Sequence, residues 1–416
     1  GIEALGVKNY ASLRDIPEPV DLVIVSVPRA VAPAILEDCI AKDAAAAFFF
    51  TSGFAETDTE EGIRLERRLK ERAEQVNFHL IGPNCMGIYN PQVGIKQSRD
   101  QADLSGPVGF ISQSGTMANT FSREMQVQGM GINKSVSFGN GIVLDSTDYL
   151  EYFGRDPEIK VIGMYLEGVK DGRRFLKVLR EVCTRKPVVI LKGGRTAEGG
   201  RAIASHTGSL AVPRAIWDAV VKQCGAIKVA SIEELIDTIK ALLYLAPVRG
   251  DRVAITGGSG GQSVAIADVF AEAGLKVPLL TQQSYDELVT FFSLIGGSYR
   301  NPVDTGNSNR REMKRIMEIL ERDANMDNLV LLVTARFWGG LEQMEAHINA
   351  AVDIRQRTAK PVLAIISYSF SPEEVEQARN IIQKFQGGGV PAFIALERGA
   401  NALKNTLDYY RLKNGA

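Results

Sequence analysis

Short apolar runs alternate with longer amphipathic segments along most of the chain. Runs such as 21–28, 45–50 and 108–112 have the length and the β-branched and aromatic content of buried strands. Segments such as 57–74 and 116–128 place their apolar residues at the spacing of one helix face. Apolar strands separated by helices are typical of parallel sheets that are covered on both faces. The pattern therefore predicts an α/β fold.

Two breaks divide this alternation. Gly106 and Pro107 precede a new series of strands and helices, and the segment 247–250 precedes another. We therefore expect three successive parallel-sheet domains at 1–104, 105–246 and 247–416, the first Rossmann-like and the other two flavodoxin-like. The first domain shows no buried strand or glycine turn before residue 21, so we expect it to be truncated. Either the sequence begins late or this domain is a shorter variant.

Composition narrows the class of protein. Lys and Arg number 48 against 49 Asp and Glu in 416 residues, so charge gives no reason to expect nucleic acid or an anionic membrane as partner. The four cysteines lie far apart without paired ligand spacing, and no metal site is predicted. The sequence shows no secretory leader and no apolar run of about 20 residues. These features favour a reducing, cytoplasmic location.

The segment 192–210, KGGRTAEGGRAIASHTGSL, places His206 among glycine and small residues. A flexible loop of this composition can bring an imidazole close to a charged group, which suits nucleophilic or phosphoryl-carrying chemistry. A solvated surface histidine is the alternative. Glu167 directly follows the apolar run 160–166, which places it at the edge of a sheet where sites in open α/β folds occur. Its alternative is a solvated carboxylate at a strand end.

Eight motifs in a fixed order carry a resemblance to a known family. They are VSVP (25–28), TSGFAE (51–56), IGPNCMGIYNP (81–91), GFISQSGTMA (109–118), FGNG (138–141), YLEGVKDGRRF (165–175), VVILKGGRTAEGGRAIASHTGSLA (188–211) and ITGGSGG (255–261). The order resembles the acyl-CoA synthetases of the nucleoside-diphosphate-forming type, the relatives of succinyl-CoA synthetase. The chain resembles the portion found in their α subunit.

The resemblance implies an acid–thiol ligase. Such an enzyme interconverts acyl-CoA, ADP and phosphate with the acid, coenzyme A and ATP, through an acyl phosphate and a phosphohistidine. It also implies an ATP-grasp part, on another subunit or segment, that holds ADP or ATP with Mg²⁺, and an oligomeric assembly. The acyl group and the choice between ADP and GDP stay open.

The resemblance also implies roles for individual residues. His206 would carry the phosphoryl group, and Glu167 would accept a hydrogen bond from one imidazole nitrogen so that the other attacks phosphorus. The SQSGT turn lies where a strand meets a helix, so its N–H groups and the helix dipole would hold the phosphate. Helix capping alone is the alternative for this turn. The predicted phosphate-binding residues are Ser112, Gln113, Ser114, Gly115 and Thr116.

A third group of residues is expected to contact coenzyme A, because it follows three strands at one edge of the first sheet. By resemblance, Asn84 and Cys85 would lie near the thiol end of coenzyme A. The alternative for Cys85 is a small apolar residue in the interior. The predicted coenzyme A contacts are Val27, Pro28, Thr51, Ser52, Gly53, Phe54, Asn84 and Cys85.

Two other classes of protein share features of this predicted fold. A nicotinamide-dependent oxidoreductase is disfavoured, because the sequence lacks a G-x-G-x-x-G turn and a ribose-binding acid at the expected distance. A non-catalytic, regulatory coenzyme A-binding protein of the same fold is the main alternative. In the third domain, ITGGSGG indicates phosphate binding or tight packing, and NPVD (301–304) is assigned no chemistry. We expect His79 and His347 to be structural or solvated.

Overall fold

The computed structural model describes residues 3–207, 213–257, 262–335, 340–367 and 371–415. Strands and helices alternate through these residues, and the larger sheets are built of parallel strands. The predicted α/β fold is therefore confirmed. The chain divides into two compact units, Gly1–Ala230 and Ser231–Ala416, and each is described by itself.

A small parallel sheet begins the first unit. Its strands follow one another in the order β3, β4, β5, after an antiparallel hairpin of β1 and β2. Helix α2 shows how the sequence sets these elements: Thr59 accepts a hydrogen bond from the N–H of Gly62 at 3.2 Å and caps the helix. Buried Leu65 and Leu69 lie on one face of α2, four residues apart. The elements are β1 (Glu3–Ala4), β2 (Val7–Lys8), β3 (Leu22–Val25), α1 (Ala32–Ala41), β4 (Ala46–Phe49), α2 (Glu60–Gln75) and β5 (His79–Ile81).

A second, six-stranded sheet completes the first unit, with the strand order β11, β10, β9, β7, β8, β6. All neighbours are parallel except β6, which runs antiparallel to β8 at the edge. The elements are β6 (Gly87–Tyr89), β7 (Val108–Ser112), α3 (Gly115–Val127), β8 (Ile132–Ser137), α4 (Ser146–Arg155), β9 (Val161–Leu166), α5 (Gly172–Arg185), β10 (Val188–Lys192), α6 (Ala197–Thr207), α7 (Arg214–Cys224) and β11 (Ile227–Val229).

The order of these strands creates a topological switch point at β7. The chain places β8 on one side of β7 and then builds β9, β10 and β11 on the other side. In open α/β sheets, a crevice forms outside the carboxyl ends of the strands where successive connections diverge in this way. The turns that follow β7 and β9 border that crevice.

The second unit is a parallel sheet with the strand order β12, β13, β14, β15 and a hydrophobic core on each face. Successive residues of β13 alternate between two cores, since Leu331 packs with α11 and α12 whereas Leu332 packs with α9 and α14. The elements are α8 (Ile232–Tyr244), β12 (Val253–Thr256), α9 (Ser263–Glu272), α10 (Gln282–Val289), α11 (Met313–Arg322), β13 (Asn328–Thr334), α12 (Gly340–Arg357), β14 (Val362–Ser367), α13 (Pro372–Gly387), β15 (Ala392–Phe393) and α14 (Leu396–Asn414).

Helix α8 belongs to this second unit. It packs against α14, and the amide of Asn405 donates to Glu234 and Thr238 at 3.0 Å each. The predicted second domain, 105–246, includes the same helix. The predicted domain limits stay predictions.

Residues 197–207 form helix α6, whereas the sequence predicts a flexible loop around His206. The hydroxyl of Thr196 accepts from the N–H of Gly199 at 3.1 Å and begins the helix. Buried Ile203 then packs against Gly194, so tertiary packing outweighs the low helix propensity of glycine. The side chain of His206 and residues 208–212 lie outside the part of the chain that the structure describes.

His347 is a buried, structural histidine in α12. Its side chain is 4 % exposed, and its Nε2 lies 2.9 Å from the carbonyl oxygen of Arg310. Burial lowers the pKa of His347, because an imidazolium loses hydration inside the protein. At His347 the unfolded chain therefore binds a proton more readily than the folded unit does. The free energy of unfolding consequently decreases as the pH falls below about 6.5.

We expect His347→Gln to weaken the pH dependence of stability between about pH 7.5 and pH 5.5. The measurement is the urea midpoint of the second unit at several pH values, followed by hydrogen exchange of α12. His79→Gln is the matched control, because His79 is exposed. An unchanged pH dependence in His347→Gln would contradict this account.

Candidate active site

A side-chain clamp joins the two turns that border the switch point. The Oε1 atom of Gln113, after β7, accepts from the N–H groups of Glu167 at 2.8 Å and Gly168 at 3.1 Å, after β9. The N–H of Gln113 in turn donates to the carbonyl oxygen of Tyr165 at 3.0 Å. The Gln113 side chain is buried, so these bonds face little competition from water. The relative position of the two turns is thereby fixed.

The SQSGT turn is built by its own hydroxyl groups. Ser112 is fully buried, and its hydroxyl donates to the carbonyl oxygen of Ser114 at 2.6 Å and accepts from the N–H of Ser114 at 3.2 Å. The Ser114 hydroxyl caps α3 by accepting from the N–H of Met117 at 3.3 Å. Ser114 therefore caps the helix, and the phosphate-binding role of the turn stays a prediction. The cap also fixes the N-terminus of a thirteen-residue helix at the edge of the sheet.

Close packing explains the glycine in this turn. A Cβ atom on Gly115 would lie 2.5 Å from Cγ of Met86, so a larger residue would displace the first turn of α3. Thr116, the next residue, is exposed to solvent. The beginning of α3 thus combines a fixed backbone with an accessible surface.

Glu167 presents a nearly buried carboxylate at this edge. Its side chain is 6 % exposed, and the hydroxyl of Tyr165 donates to Oε1 at 3.3 Å. Burial and the neighbouring carboxylate raise the pKa of Tyr165 to about 12, so the phenol stays protonated and remains a donor. A carboxylate held in a poorly hydrated position interacts strongly with any cation that enters.

Lys192 is a third member of this site, and the sequence analysis did not identify it. It ends β10, is 4 % exposed, and donates from Nζ to the carbonyl oxygens of Glu167, at 2.8 Å, and of Gly193. Its ammonium group also lies 5.7 Å from the ring centroid of Trp217. Burial lowers the pKa of Lys192, while the charge of Glu167 acts in the opposite direction. A lysine ending the otherwise apolar strand VVILK was the available signal.

Helix α6 carries His206 away from β10, the strand beside β9. It lies against the short 3-10 helix Ala55–Thr57 that follows β4. The structure thus brings the backbone of α6 next to the predicted coenzyme A turn. The role of His206 stays a prediction.

The structure brings together three of the predicted coenzyme A residues at the carboxyl edge of the first sheet. The Thr51 hydroxyl donates to the carbonyl oxygen of Val27 at 2.7 Å, and the N–H of Asn84 donates to the carbonyl oxygen of Thr51 at 2.9 Å. Pro28 and Ser52 are exposed beside them, and Gly53 is half-buried. The turns after β3, β4 and β5 therefore form one continuous surface.

Two other predicted coenzyme A residues have buried side chains. Phe54 is fully buried in the core of the first sheet. Cys85 is 4 % exposed, and its burial raises the pKa of the thiol to about 12. The structure favours the interior alternative for the Cys85 side chain. No direct contact with a ligand is assigned to either side chain.

A polar junction connects this surface to the FGNG turn after β8. The Nδ2 atom of Asn140 donates to Glu56 at 2.7 Å and to Glu66 at 2.8 Å. Glu56 accepts from the N–H groups of Gly53, at 2.6 Å, and Phe54, at 3.1 Å. Asn140 therefore holds the carboxylate that shapes the predicted coenzyme A turn. Sequence reasoning missed this network.

The backbone of the FGNG turn packs closely against the turn that contains Asn84. Gly139 has φ +53°, and a Cβ atom there would lie 2.2 Å from the carbonyl oxygen of Asn84. The ammonium group of Lys170 donates to the carbonyl oxygen of Gly141 at 2.7 Å. Burial lowers the pKa of Lys170, and the charge of Glu66 opposes this shift. The turn is fixed from both sides.

No group of three or more His, Cys, Asp or Glu residues in the described part of the chain is arranged to hold a metal ion. Among the described helices, none combines the length and apolar character needed to cross a bilayer.

Comparisons with known proteins identify the family. Residues 2–91 match a family described as a CoA binding domain, and residues 105–242 match the succinyl-CoA ligase like flavodoxin domain. The α subunit of acetate–CoA ligase (ADP-forming) II from Pyrococcus furiosus is 36 % identical over 94 % of this chain and 84 % of its own length. Acetate–CoA ligase (ADP-forming) I from Archaeoglobus fulgidus is 34 % identical over 96 % of this chain, which spans 56 % of that relative.

A solved structure agrees with these relatives. The dinucleotide forming acetyl-coenzyme A synthetase 1 of Ca. Korarchaeum cryptofilum, in complex with phosphate and ADP, superposes with a TM-score of 0.85. It is 29 % identical, and the match covers 99 % of this chain and 87 % of that chain.

The fold and these matches define an acid–thiol ligase with a coenzyme A-binding domain. More particularly, the chain belongs to the family of ADP-forming acyl-CoA ligases. The predicted resemblance and the predicted class of enzyme are thus confirmed, and the nicotinamide-dependent oxidoreductase is excluded.

We expect Gln113→Ala to loosen the clamp, because two buried N–H groups lose their acceptor. Each such loss costs about 1–3 kcal/mol, so exchange of the Glu167 and Gly168 amides should accelerate roughly tenfold or more. Hydrogen-exchange mass spectrometry of the segment 161–170 measures this. The exposed Gln75→Ala is the matched control. Unchanged exchange in Gln113→Ala would show that the clamp does not hold the turns.

Proposed function

We propose that this chain performs the acyl-transfer and phosphoryl-carrying steps of an ADP-forming acid–CoA ligase. The observation that carries the proposal is the buried side chain of Glu167, whose backbone N–H is held by Gln113 at the switch point. Glu167 directly follows β9, the strand next to β10, and α6 with His206 follows β10 along the chain. An acidic group in that position suits an imidazole that must become positively charged.

The proposed reaction has three group transfers. A phosphate oxygen attacks the thioester carbonyl carbon, the C–S bond breaks, and coenzyme A leaves as the thiol with a proton from hydrogen phosphate. A ring nitrogen of His206 then attacks the phosphorus atom, the bond between phosphorus and the acyl oxygen breaks, and the carboxylate leaves. Finally the phosphoryl group passes from His206 to ADP, which yields ATP and restores the imidazole.

Glu167 would orient the imidazole and stabilise its charge during the second transfer. A hydrogen bond from one ring nitrogen to the carboxylate fixes the tautomer, so that the other nitrogen presents its lone pair to phosphorus. The poorly hydrated position of Glu167 strengthens its attraction to the phosphorylated, cationic ring. These effects support the role that the family resemblance implies.

The N-terminus of α3 would hold the phosphate. The capped helix presents N–H groups and the positive end of its dipole at the crevice. The hydroxyl of exposed Thr116 is available as a further donor. Ser112, Gln113 and Ser114 contribute by fixing the turn, and the related Korarchaeum synthetase was solved in complex with phosphate.

Coenzyme A would bind along the turns after β3, β4 and β5. Val27, Thr51 and Asn84 are joined there by hydrogen bonds, and Pro28, Ser52 and Gly53 contribute accessible surface. Phe54 and Cys85 would support these turns from beneath through their packing. Family membership carries coenzyme A as the substrate, and the individual contacts are part of the proposal.

A partner with ATP-grasp domains would supply ADP or ATP together with Mg²⁺. Three relatives bear the name of α subunits, and this chain spans only 56 % of the relative from Archaeoglobus. We therefore place the nucleotide site on another subunit or segment, and we propose an oligomeric assembly. The relatives are named for acetate, 4-hydroxybutyrate, ferulate and malate, and the acyl group here stays open. Four free, buried cysteines suit the proposed cytoplasmic location.

We predict that labelled phosphate and an acyl-CoA, taken from a series that includes acetyl-CoA and 4-hydroxybutyryl-CoA, place an acid-labile, base-stable label on the wild-type chain. His206→Asn should abolish the label, and Glu167→Gln should slow its appearance roughly a hundredfold, because imidazole orientation and charge stabilisation are lost. His79→Asn is the control and should be labelled at the wild-type rate, since His79 is exposed at the beginning of β5.

The same experiment separates the enzyme from the regulatory alternative. A wild-type chain that binds coenzyme A but takes up no label would favour the non-catalytic protein. Labelling of Glu167→Gln at the normal rate would contradict the role of that residue alone.

We predict that Asn140→Ala weakens coenzyme A binding roughly tenfold. Without the amide donor, the carboxylates of Glu56 and Glu66 repel each other and the turn at Gly53 and Phe54 loosens. Isothermal titration calorimetry with coenzyme A measures the change, and Asn380→Ala, an exposed residue of α13, is the matched control. Equal affinities of Asn140→Ala and wild type would show that the junction does not shape the site.

A further inference from the structure

Two groups beside Glu167 have no part in the proposed reaction. Lys192 places an ammonium group in an interior position, and Tyr165 directs its hydroxyl at the Glu167 carboxylate. Burying an ammonium group costs free energy unless it is hydrogen-bonded, and Lys192 donates to two carbonyl oxygens here. Both residues contact Glu167 directly.

Lys192 acts on the main chain of Glu167. Its Nζ donates to the Glu167 carbonyl oxygen at 2.8 Å and to that of Gly193, so one ammonium group joins the carboxyl ends of β9 and β10. The indole face of Trp217, 5.7 Å away, provides a further favourable contact for the cation. The backbone on which the Glu167 side chain stands is therefore held from β10 as well as from Gln113.

Tyr165 acts on the carboxylate itself. Its hydroxyl donates to Oε1 at 3.3 Å, and its raised pKa keeps the donor proton in place at neutral pH. Gly193 makes this arrangement possible, because a Cβ atom there would lie 2.7 Å from the Tyr165 hydroxyl and 3.2 Å from Cγ of Glu167. The carboxylate, the phenol and the glycine form one closely packed group.

We propose that Tyr165 and Lys192 are positioning residues that hold Glu167 for its interaction with the phosphoryl-carrying imidazole. This inference rests on the proposed function, and it adds two residues to that site. Lys192 fixes the backbone position of Glu167 at the carboxyl end of β9, and Tyr165 fixes the rotation of its carboxylate. A displacement of about 1 Å is enough to reduce a reaction rate greatly.

The effect should appear in the rate and not in the binding of substrate. The predicted coenzyme A turns follow β3, β4 and β5 of the first sheet, whereas Tyr165 and Lys192 belong to β9 and β10 of the second. Loss of either residue therefore lowers the rate of labelling and leaves the KM for the acyl-CoA unchanged. Loss of a hydrogen bond to a charged group corresponds to roughly a ten- to hundredfold decrease in rate.

The test compares Tyr165→Phe and Lys192→Met with two matched controls, Tyr152→Phe and Lys177→Met, which alter exposed residues. The measurement is single-turnover labelling of the full chain by the same acyl-CoA and labelled phosphate. Both test variants should be slowed at an unchanged KM, and the controls should not. In the Glu167→Gln background neither test substitution should slow the reaction further. Wild-type rates, or equal slowing with and without Glu167, would overturn the proposal.

A second measurement does not depend on labelling. In a chain containing tyrosine enriched with ¹³C at Cζ, Glu167→Gln should shift the resonance of Tyr165 and leave that of Tyr152 unchanged. The resonance of Tyr165 is identified from its absence in Tyr165→Phe. No shift would overturn the positioning role of Tyr165 even if labelling proceeds. No label on the wild-type chain would instead contradict the proposed function, and the shift would then decide the positioning claim alone.

Discussion

The bond between the Gln113 side chain and the backbone of Glu167 and Gly168 is the constraint on which the site depends. Parallel strands with connections that diverge leave a crevice between their carboxyl ends. Without a cross-link, the two turns at such a crevice would be free to separate. One buried amide holds the turn after β7 beside the turn after β9. We propose that anion binding at the N-terminus of α3 and stabilisation of the imidazole by Glu167 both depend on this cross-link.

A second set of polar contacts extends the same logic to the first sheet. Asn140 joins the FGNG turn to the two carboxylates that shape the turn after β4, and α6 lies against the 3-10 helix in that turn. The proposed coenzyme A surface and the helix that carries His206 therefore share a boundary. Buried polar networks of this kind are rigid only when every member is satisfied. Such rigidity suits a site that must hold several chemical groups at fixed distances from one another.

Much of this arrangement could be predicted from the sequence. The apolar runs located β7 and β9 to within about one residue, and the rule that sites lie at carboxyl ends placed Glu167 and SQSGT at the same edge. The prediction of a flexible loop at residues 197–207 was wrong. Packing of Ile203 on Gly194 favours a helix there, and composition does not reveal that contact. The Asn140 junction joins residues 84 positions apart, and the burial of Lys192 depends on Trp217. Such contacts arise only after the sheets have formed.

The proposed phosphoryl transfer requires that His206 carries the phosphoryl group and depends on Glu167 to do so. Mass spectrometric mapping of the phosphorylated residue, at alkaline pH after incubation with the acyl-CoA and phosphate, tests it most directly. The account predicts phosphate on His206 in the wild-type chain and a strongly reduced amount in Glu167→Gln. Phosphate on another residue, or an equal amount on His206 without the carboxylate, would contradict it.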